Sequence, residues 1–144
     1  MKPSKRMVWA ARAMWAVSVF FLAFDAVGKL LTLAPVVEGS ARLGYNEPAV
    51  FAIGIIELVC LTLYVVPRTA VLGALLLTGY LGGAVATHFR IGDPLFSHIL
   101  FPTYVATLLW GALVLRDGRL RQLVPLRRRL EAAYTSKLSP EASR

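Results

Sequence analysis

The ionisable side chains best suited to chemistry in this sequence lie within long apolar segments. They are Asp25, Lys29, Glu57, His88 and His98. A charge at the centre of a bilayer costs from about 2.5 kcal/mol on insertion scales to about 10 or more in simulations, so such residues indicate a functional site by default. We therefore take these five as candidate ligand-binding residues, and the sequence assigns a catalytic role to none of them.

Two of these charges share a helix face, and a third lies at a similar depth. Asp25 and Lys29 are four residues apart, which allows an ion pair along one helix. Lys29 and Glu57 are roughly 8 and 12 Å from the same membrane face at the helical rise per residue. His88 and His98 fall at that same face. The sequence thus predicts a polar column that opens there and reaches down to Asp25, which suggests a pocket.

A structural role for the same charges is the alternative. Asp25, Lys29 and Glu57 could form a buried ion-pair triad that fixes the register of the helices. Two carboxylates against one ammonium leave an excess negative charge, however, which burial opposes by recruiting a proton or a cation. A purely structural triad has no evident need for that imbalance. The residues Glu57, His88 and His98 show no recognised metal-ligand spacing, so we expect no metal site.

The segments that carry these residues have the length and composition of transmembrane helices. The chain has 144 residues and is 57% hydrophobic, against about 45 to 50% in ordinary soluble domains. Its apolar blocks are about 18 to 22 residues long, and about 20 are needed to cross the hydrocarbon core. We predict an all-α transmembrane four-helix bundle in a domain covering 1–116, with spans at about 13–34, 49–66, 69–89 and 94–115.

The distribution of positive charge predicts the orientation of the bundle. Of sixteen Lys and Arg residues, thirteen fall on the side of the two termini. Arg42 and Arg90 fall on the other side, and Lys29 lies within a span. By the positive-inside rule both termini are cytoplasmic, and 117–144 forms a basic cytoplasmic tail. Nucleic-acid binding is not expected, because aromatic residues are not interleaved with the basic ones as base stacking requires.

Local signals predict where the helices begin and break. Asn46 is a candidate N-cap for the second span, and Asp93 for the fourth, each followed by a proline suited to a first helical turn. Between the first two spans, 38–48 reads as a polar connection. Pro102 falls inside the fourth span, where it removes a helical hydrogen bond and predicts a kink.

Other sequence features narrow the possible functions. Gly79 and Gly83 form a small-xxx-small pair, which predicts close helix packing within the bundle, with a homodimer face as the alternative. Cys60 is the only cysteine, so an intrachain disulfide is impossible. There is no Walker loop, GxGxxG, HExxH or plausible Ser-His-Asp arrangement. Hydrolases and nucleotide-driven enzymes therefore find no support.

The order of these features resembles the DoxX-like family of small bacterial four-helix membrane proteins. The likeness rests on 24–30 (FDAVGKL), 43–45 (LGY), 54–58 (GIIEL) and 82–94, which contains the sequence ATH at 86–88. Gly-Lys late in the first span together with G-x-x-E in the second is the distinctive pair. The resemblance covers about 14–116 and leaves out the basic tail.

The resemblance implies a multi-pass protein of the bacterial plasma or inner membrane. Some relatives are tied to quinone-linked sulfur oxidation or to redox-protective membrane complexes, and Lys29 and Glu57 match the family's charged positions. This favours a small amphipathic ligand such as a quinone or redox lipid, with Lys29 donating to a carbonyl oxygen and Glu57 accepting or relaying a proton. The alternative is a non-catalytic partner or anchor subunit of a redox enzyme complex. Enzyme activity and any cofactor stay open, because no catalytic motif is reproduced.

Overall fold

In a computed structural model, the described residues are 5–118 and 120. Five α-helices follow one another: α1 (Lys5–Leu30), α2 (Ala34–Arg42), α3 (Glu47–Val65), α4 (Ala70–Arg90) and α5 (Phe101–Arg116), with a π-helical turn (Leu95–Ile99) immediately before α5. The predicted tail lies outside the described residues except at 117, 118 and 120.

Within the described residues, four helical segments are long and apolar enough to cross a membrane. They are Lys5–Leu30, Glu47–Val65, Ala70–Arg90 and the combined segment Leu95–Arg116. This confirms the prediction of an all-helical chain with four apolar spans. The first span begins earlier and ends earlier than its apolar block suggested, because α1 starts among basic residues and stops at Leu30.

The four long helices pack as a ring in which each contacts two others. α1 contacts α3 and α5, and α4 contacts the same two helices from the opposite side. Glu57 meets Tyr80, while Tyr64 faces Gly73, so residues later in α3 pair with residues earlier in α4 and the two helices are antiparallel. The bundle therefore has one end that carries α2, called here the α2 end, and an opposite end that carries the start of α1.

Large apolar side chains face both the interior and the surroundings. Leu22, Leu77 and Leu109 are at most 1% exposed and form the centre of the core. Phe20 and Phe24, by contrast, point outward with at least 70% of their surface exposed. An outer surface this apolar suits contact with lipid rather than with water.

Close approach of the helices depends on two glycines that the sequence did not single out for packing. A Cβ added at Gly73 would lie 2.2 Å from the backbone nitrogen of Tyr64, and one added at Gly54 would meet α1. A Cβ added at Gly79 or Gly83 would meet nothing within 4 Å in the described part of the chain. The prediction of close packing at Gly79 and Gly83 is therefore wrong for the described helices, because these positions face open space instead of a neighbouring helix.

The connection from α1 to α3 contains a helix of its own. Thr32 takes a left-handed φ of 46°, and the N–H of Leu33 donates to the carbonyl of Gly28 at 3.1 Å, which ends α1. Pro35 then stands in the first turn of α2, where proline is favoured. The expected polar connection at 38–48 is consequently helical as far as Arg42.

One of the two predicted N-caps is present. The side chain of Asn46 accepts a hydrogen bond from the N–H of Ala49 at 3.0 Å, which confirms it as the cap of α3. The prediction for Asp93 is wrong, because Pro94 occupies the cap position of the π-helical turn and no side chain caps it. The carboxylate of Asp93 instead contacts His88.

The fourth span is interrupted before Pro102, so the prediction that this proline kinks the helix from within is wrong. The π-helical turn interrupts the segment at Leu95–Ile99, and α5 then begins at Phe101. Pro102 thus stands in the first turn of α5, where its missing N–H removes no helical hydrogen bond.

Candidate functional site

A cavity of about 650 Å³ lies at the α2 end of the bundle, among all five helices and the π-helical turn. This volume falls within the range of about 300 to 1,000 Å³ typical of sites for small molecules. Most of the wall is apolar, with Phe21, Val50 and Leu81 among the lining residues. Polar side chains join it in two groups. Tyr80 and His88, one from each group, are eight residues apart on α4, about 12 Å along the helix.

The first group, called here the inner cluster, consists of Asp25, Lys29, Glu57 and Tyr80. The ammonium of Lys29 donates to Asp25, to Oε2 of Glu57 at 2.8 Å and to the hydroxyl of Tyr80 at 2.8 Å. The Tyr80 hydroxyl in turn donates to Oε2 of Glu57 at 2.8 Å. Three helices are thereby joined through one cation. Because an ammonium has three N–H bonds, every donor of Lys29 is used within the cluster.

Carboxylate oxygens remain in excess in the inner cluster. Glu57 is completely buried, and its Oε1 has no hydrogen-bond partner among the described residues. Asp25 contacts Lys29 through Oδ2 and keeps 35% of its side chain exposed, and it lines the cavity. A carboxylate accepts up to about four hydrogen bonds. The inner cluster therefore offers the cavity acceptors and uses its own donors internally.

The second group, called here the mouth cluster, consists of Arg42, His88, Asp93 and His98. Nδ1 of His88 lies 2.6 Å from Oδ2 of Asp93, and Nη2 of Arg42 lies 3.7 Å from Oδ1. The rings of His88 and His98 have centroids 5.9 Å apart. The hydrogen bond from His88 lowers the pKa of the Asp93 carboxyl below its ordinary value, and the charges of His98 and Arg42 act in the same direction.

The C-terminal end of α2 is tied to α4 by further contacts beside the mouth cluster. The guanidinium of Arg90 donates to the carbonyl of Leu43 at 2.6 Å. The hydroxyls of Tyr45 and Thr87 lie 3.1 Å apart. Because α2 contributes Val36 to the cavity wall, these contacts and the Arg42–Asp93 pair fix one side of the cavity.

The comparison with protein families identifies the chain. A family model described as the DoxX-like family matches residues 13–112, more than two thirds of the sequence. The chain belongs to the DoxX-like family. With four spanning helices, this family member is a multi-pass membrane protein in contact with the lipid bilayer. No curated protein and no solved structure matches the chain.

The structure brings the five predicted residues of this DoxX-like protein together in two groups. Asp25, Lys29 and Glu57 meet in the inner cluster, as their spacing and depth indicated. His88 and His98 meet about 12 Å away along α4. Glu57 itself does not line the cavity, because it is buried behind Lys29 and Tyr80.

Three polar residues of the site were missed by the sequence reasoning. Tyr80 is uncharged and was not considered. It lies twelve residues after Arg68, and Glu57 lies ten residues before Pro67, so the two residues are at similar distances from the short connection between α3 and α4. The same depth argument that paired Lys29 with Glu57 would have found it. Arg42 was used only to assign topology, and Asp93 was taken for a helix cap.

Proposed function

We propose that this DoxX-like protein binds a small amphipathic molecule, a quinone or a similar redox lipid, in the cavity. The observation that carries the proposal is an apolar cavity of about 650 Å³ with polar side chains grouped at two levels, inside a bundle whose outer surface is suited to lipid. Pockets of this kind orient a largely apolar ligand through a few polar contacts. A quinone, with its polar ring and apolar tail, has the matching chemistry.

An aromatic pair in the wall supports a ligand with a ring. Phe21 and Phe101 both line the cavity, and their ring centroids lie 5.2 Å apart in an edge-to-face arrangement. Edge-to-face packing leaves a ring face of one partner available to a further aromatic group. In this proposal the head of the ligand packs near this pair and its polar atoms meet the inner cluster.

The contacts of the inner cluster revise the roles suggested by the sequence. Lys29 has no N–H left for a ligand carbonyl, so its role is to hold Asp25, Glu57 and Tyr80 in position. Asp25 and Tyr80 line the cavity and are the groups that contact the ligand. Glu57 is separated from the cavity by Lys29 and Tyr80, so any proton it accepts or relays passes through the ammonium or the hydroxyl that contacts it.

The proposed setting is the plasma or inner membrane of a bacterium, with both termini in the cytoplasm. This orientation rests on the thirteen basic residues on the side of the termini against two on the other. The α2 end then faces away from the cytoplasm, and His88 and His98 lie where a ligand enters. Arg42 and Arg90, the two basic residues on that side, both contribute to holding α2.

The test is mass spectrometry of the lipids and quinones retained by gently purified protein. Gly79 and Gly83 line the cavity, and a Cβ added at either position would meet nothing within 4 Å among the described residues, so we expect Gly79→Leu and Gly83→Leu to extend side chains into the cavity. Gly82→Leu is the matched control, because an added Cβ there has the same free space among the described residues and Gly82 does not line the cavity. We expect one enriched species in the wild type and in Gly82→Leu, and its loss in the other two variants.

The same preparation distinguishes the alternative role. Identical lipid profiles in all four proteins would contradict the binding proposal. Cross-linking in native membranes that recovered a stoichiometric redox enzyme subunit would then support the role of a non-catalytic partner or anchor. Recovery of a cross-linked homodimer alone would support self-association.

A further inference from the structure

The inner cluster has an unusual balance of hydrogen-bond donors and acceptors. Its donors are the three N–H bonds of Lys29 and the O–H of Tyr80, and each has an acceptor inside the cluster. Its acceptors are two carboxylates and the Tyr80 oxygen. More acceptor positions than donors are present, so part of the acceptor capacity is left over.

The unused acceptor capacity that a ligand can reach belongs mainly to Asp25. Its contact with Lys29 uses Oδ2, and the side chain is 35% exposed on the cavity wall. Oε1 of Glu57 is also without a partner among the described residues, but Glu57 is fully buried. A proton carried by Oε1 would therefore not turn Glu57 into a donor for a molecule in the cavity.

We propose that the inner end of the cavity selects a ligand that donates a hydrogen bond, so that a dihydroxy aromatic head, as in a quinol, binds more tightly than the dicarbonyl form. This proposal rests on the proposed function, since it names the form of the ligand that the same cavity prefers. A ligand hydroxyl donates to the carboxylate of Asp25. A ligand carbonyl at the same place would bring its oxygen, an acceptor, next to the carboxylate of Asp25, which is also an acceptor. Neither group would then gain a hydrogen bond.

The charge of Asp25 acts in the same direction. Its carboxylate lies on the cavity wall, whereas Glu57 is fully buried. A carbonyl oxygen carries partial negative charge and is repelled by this carboxylate, whereas the hydrogen of a hydroxyl is attracted. Sites built to pair with a hydroxyl discriminate strongly against analogues that lack it, because their own polar groups are then left unpaired.

The experiment compares the reduced and oxidised forms of one short-tailed ubiquinone analogue, which have nearly the same shape and differ in donor and acceptor character. The full chain in lipid nanodiscs is titrated with each form. We expect the reduced form to bind about tenfold more tightly or better, which raises the midpoint potential of the bound two-electron couple by about 30 mV or more over the free couple.

A matched pair of variants tests the assignment to Asp25. Asp25→Asn replaces one acceptor oxygen with an amide that can donate to a carbonyl, and it leaves Lys29 balanced by Glu57 alone. Glu47→Gln makes the same kind of change at an exposed residue that does not line the cavity. We expect the preference for the reduced form to disappear in Asp25→Asn and to persist in Glu47→Gln.

The outcomes separate this inference from the proposed function. Equal binding of the two forms by the wild type, or tighter binding of the oxidised form, overturns the preference and leaves the binding function standing. An unchanged preference in a folded Asp25→Asn variant overturns the assignment of the acceptor. Binding of neither form overturns both proposals. The wild-type comparison decides the preference even where Asp25→Asn does not fold.

Discussion

The inner and mouth clusters are built from the same kinds of charged group but lie in different surroundings. In the inner cluster Glu57 is fully buried and the side chain of Lys29 is 12% exposed. In the mouth cluster the side chain of Arg42 is 74% exposed, although that of Asp93 is only 10% exposed. Arg42 can therefore exchange its partner for water, whereas Glu57 cannot and Lys29 has little access to it. We expect the inner cluster to contribute to the stability of the fold, and the Arg42–Asp93 pair to contribute mainly to the attachment of α2.

This contrast predicts a difference in free energy between equivalent substitutions. Removing one partner of a buried ion pair leaves an uncompensated charge and costs about 3 to 5 kcal/mol. Exposed pairs contribute about 0 to 1 kcal/mol, because water and salt screen them. The losses of unfolding free energy caused by substitutions in the two clusters should consequently differ by several kcal/mol.

Lys29→Met should have the largest effect. It preserves much of the side-chain volume but leaves the carboxylates of Asp25 and Glu57 without their cation. We expect the free energy of unfolding to fall by about 3 to 5 kcal/mol, measured by denaturant unfolding in mixed micelles. Arg42→Met is the matched control at the mouth, where we expect a loss of about 0 to 1 kcal/mol.

A double variant identifies the cause of the loss. Adding Glu57→Gln to Lys29→Met removes one of the two unpaired charges, so it should recover part of the stability through coupling between neighbours. If Lys29→Met is as stable as Arg42→Met, the inner cluster is not held by charge and the contrast fails.

Gly54→Ala tests the same cluster through packing, with an intermediate effect. An added Cβ would lie 2.8 Å from the Cβ of Lys29 and 3.3 Å from the carbonyl of Ala26, so α1 and α3 must move apart. Overpacking of this kind costs about 1 to 3 kcal/mol, and the better helix propensity of alanine offsets it by at most about 1 kcal/mol. We expect a net loss of stability in the same unfolding assay.

Gly82→Ala is the control for this substitution. An added Cβ there meets nothing within 4 Å among residues 5–118 and 120, so we expect only the gain in helix propensity. Equal stability changes in the two variants would show that the approach of α1 to α3 at Gly54 does not limit packing.

The long helices and the three charged residues of the inner cluster were the most predictable parts of the molecule. Apolar blocks of spanning length leave the chain few alternatives in a membrane, because every backbone group must be bonded within the helix. The four-residue spacing of Asp25 and Lys29 and the matched depth of Glu57 follow from helix geometry alone. These inferences depend only on the regular geometry of an α-helix, so they did not require knowledge of which helices are neighbours.

The parts that were missed depend on what stands opposite a residue. The spacing of Gly79 and Gly83 shows where the surface of the helix lacks side chains, but it does not show whether a helix or a cavity faces that surface. Asp93 can satisfy either a helix N-terminus or an imidazole, and only the path of α4 brings His88 near it. Glu38, Gly39 and Ser40 read as a loop by composition, yet they continue a helix that begins at Ala34 and has Pro35 in its first turn.

The contacts of Asp93 in the mouth cluster should persist to a lower pH than those of an aspartate with an ordinary pKa. The pKa of Asp93 is lowered, so its pairs with His88 and Arg42 contribute above the ordinary Asp pKa of about 3.9 and are lost only as pH falls through the lower value. We expect a spin label at Glu38→Cys on α2 to keep the same mobility from neutral pH down to that range and to become more mobile below it. The one native cysteine, Cys60, is buried, which favours labelling of the introduced site.

Asp93→Asn supplies the comparison within the same assay. The amide cannot form the ion pair with Arg42 at any pH, so the label should already be more mobile at neutral pH and should lose its acid transition. The unfolding free energy should change less than in Gly54→Ala, because only the attachment of α2 is affected. A rise in wild-type mobility at a pH well above the ordinary Asp pKa of about 3.9 would instead show that Asp93 does not control the attachment of α2. The difference between the two clusters would then lie in which group titrates rather than in exposure alone.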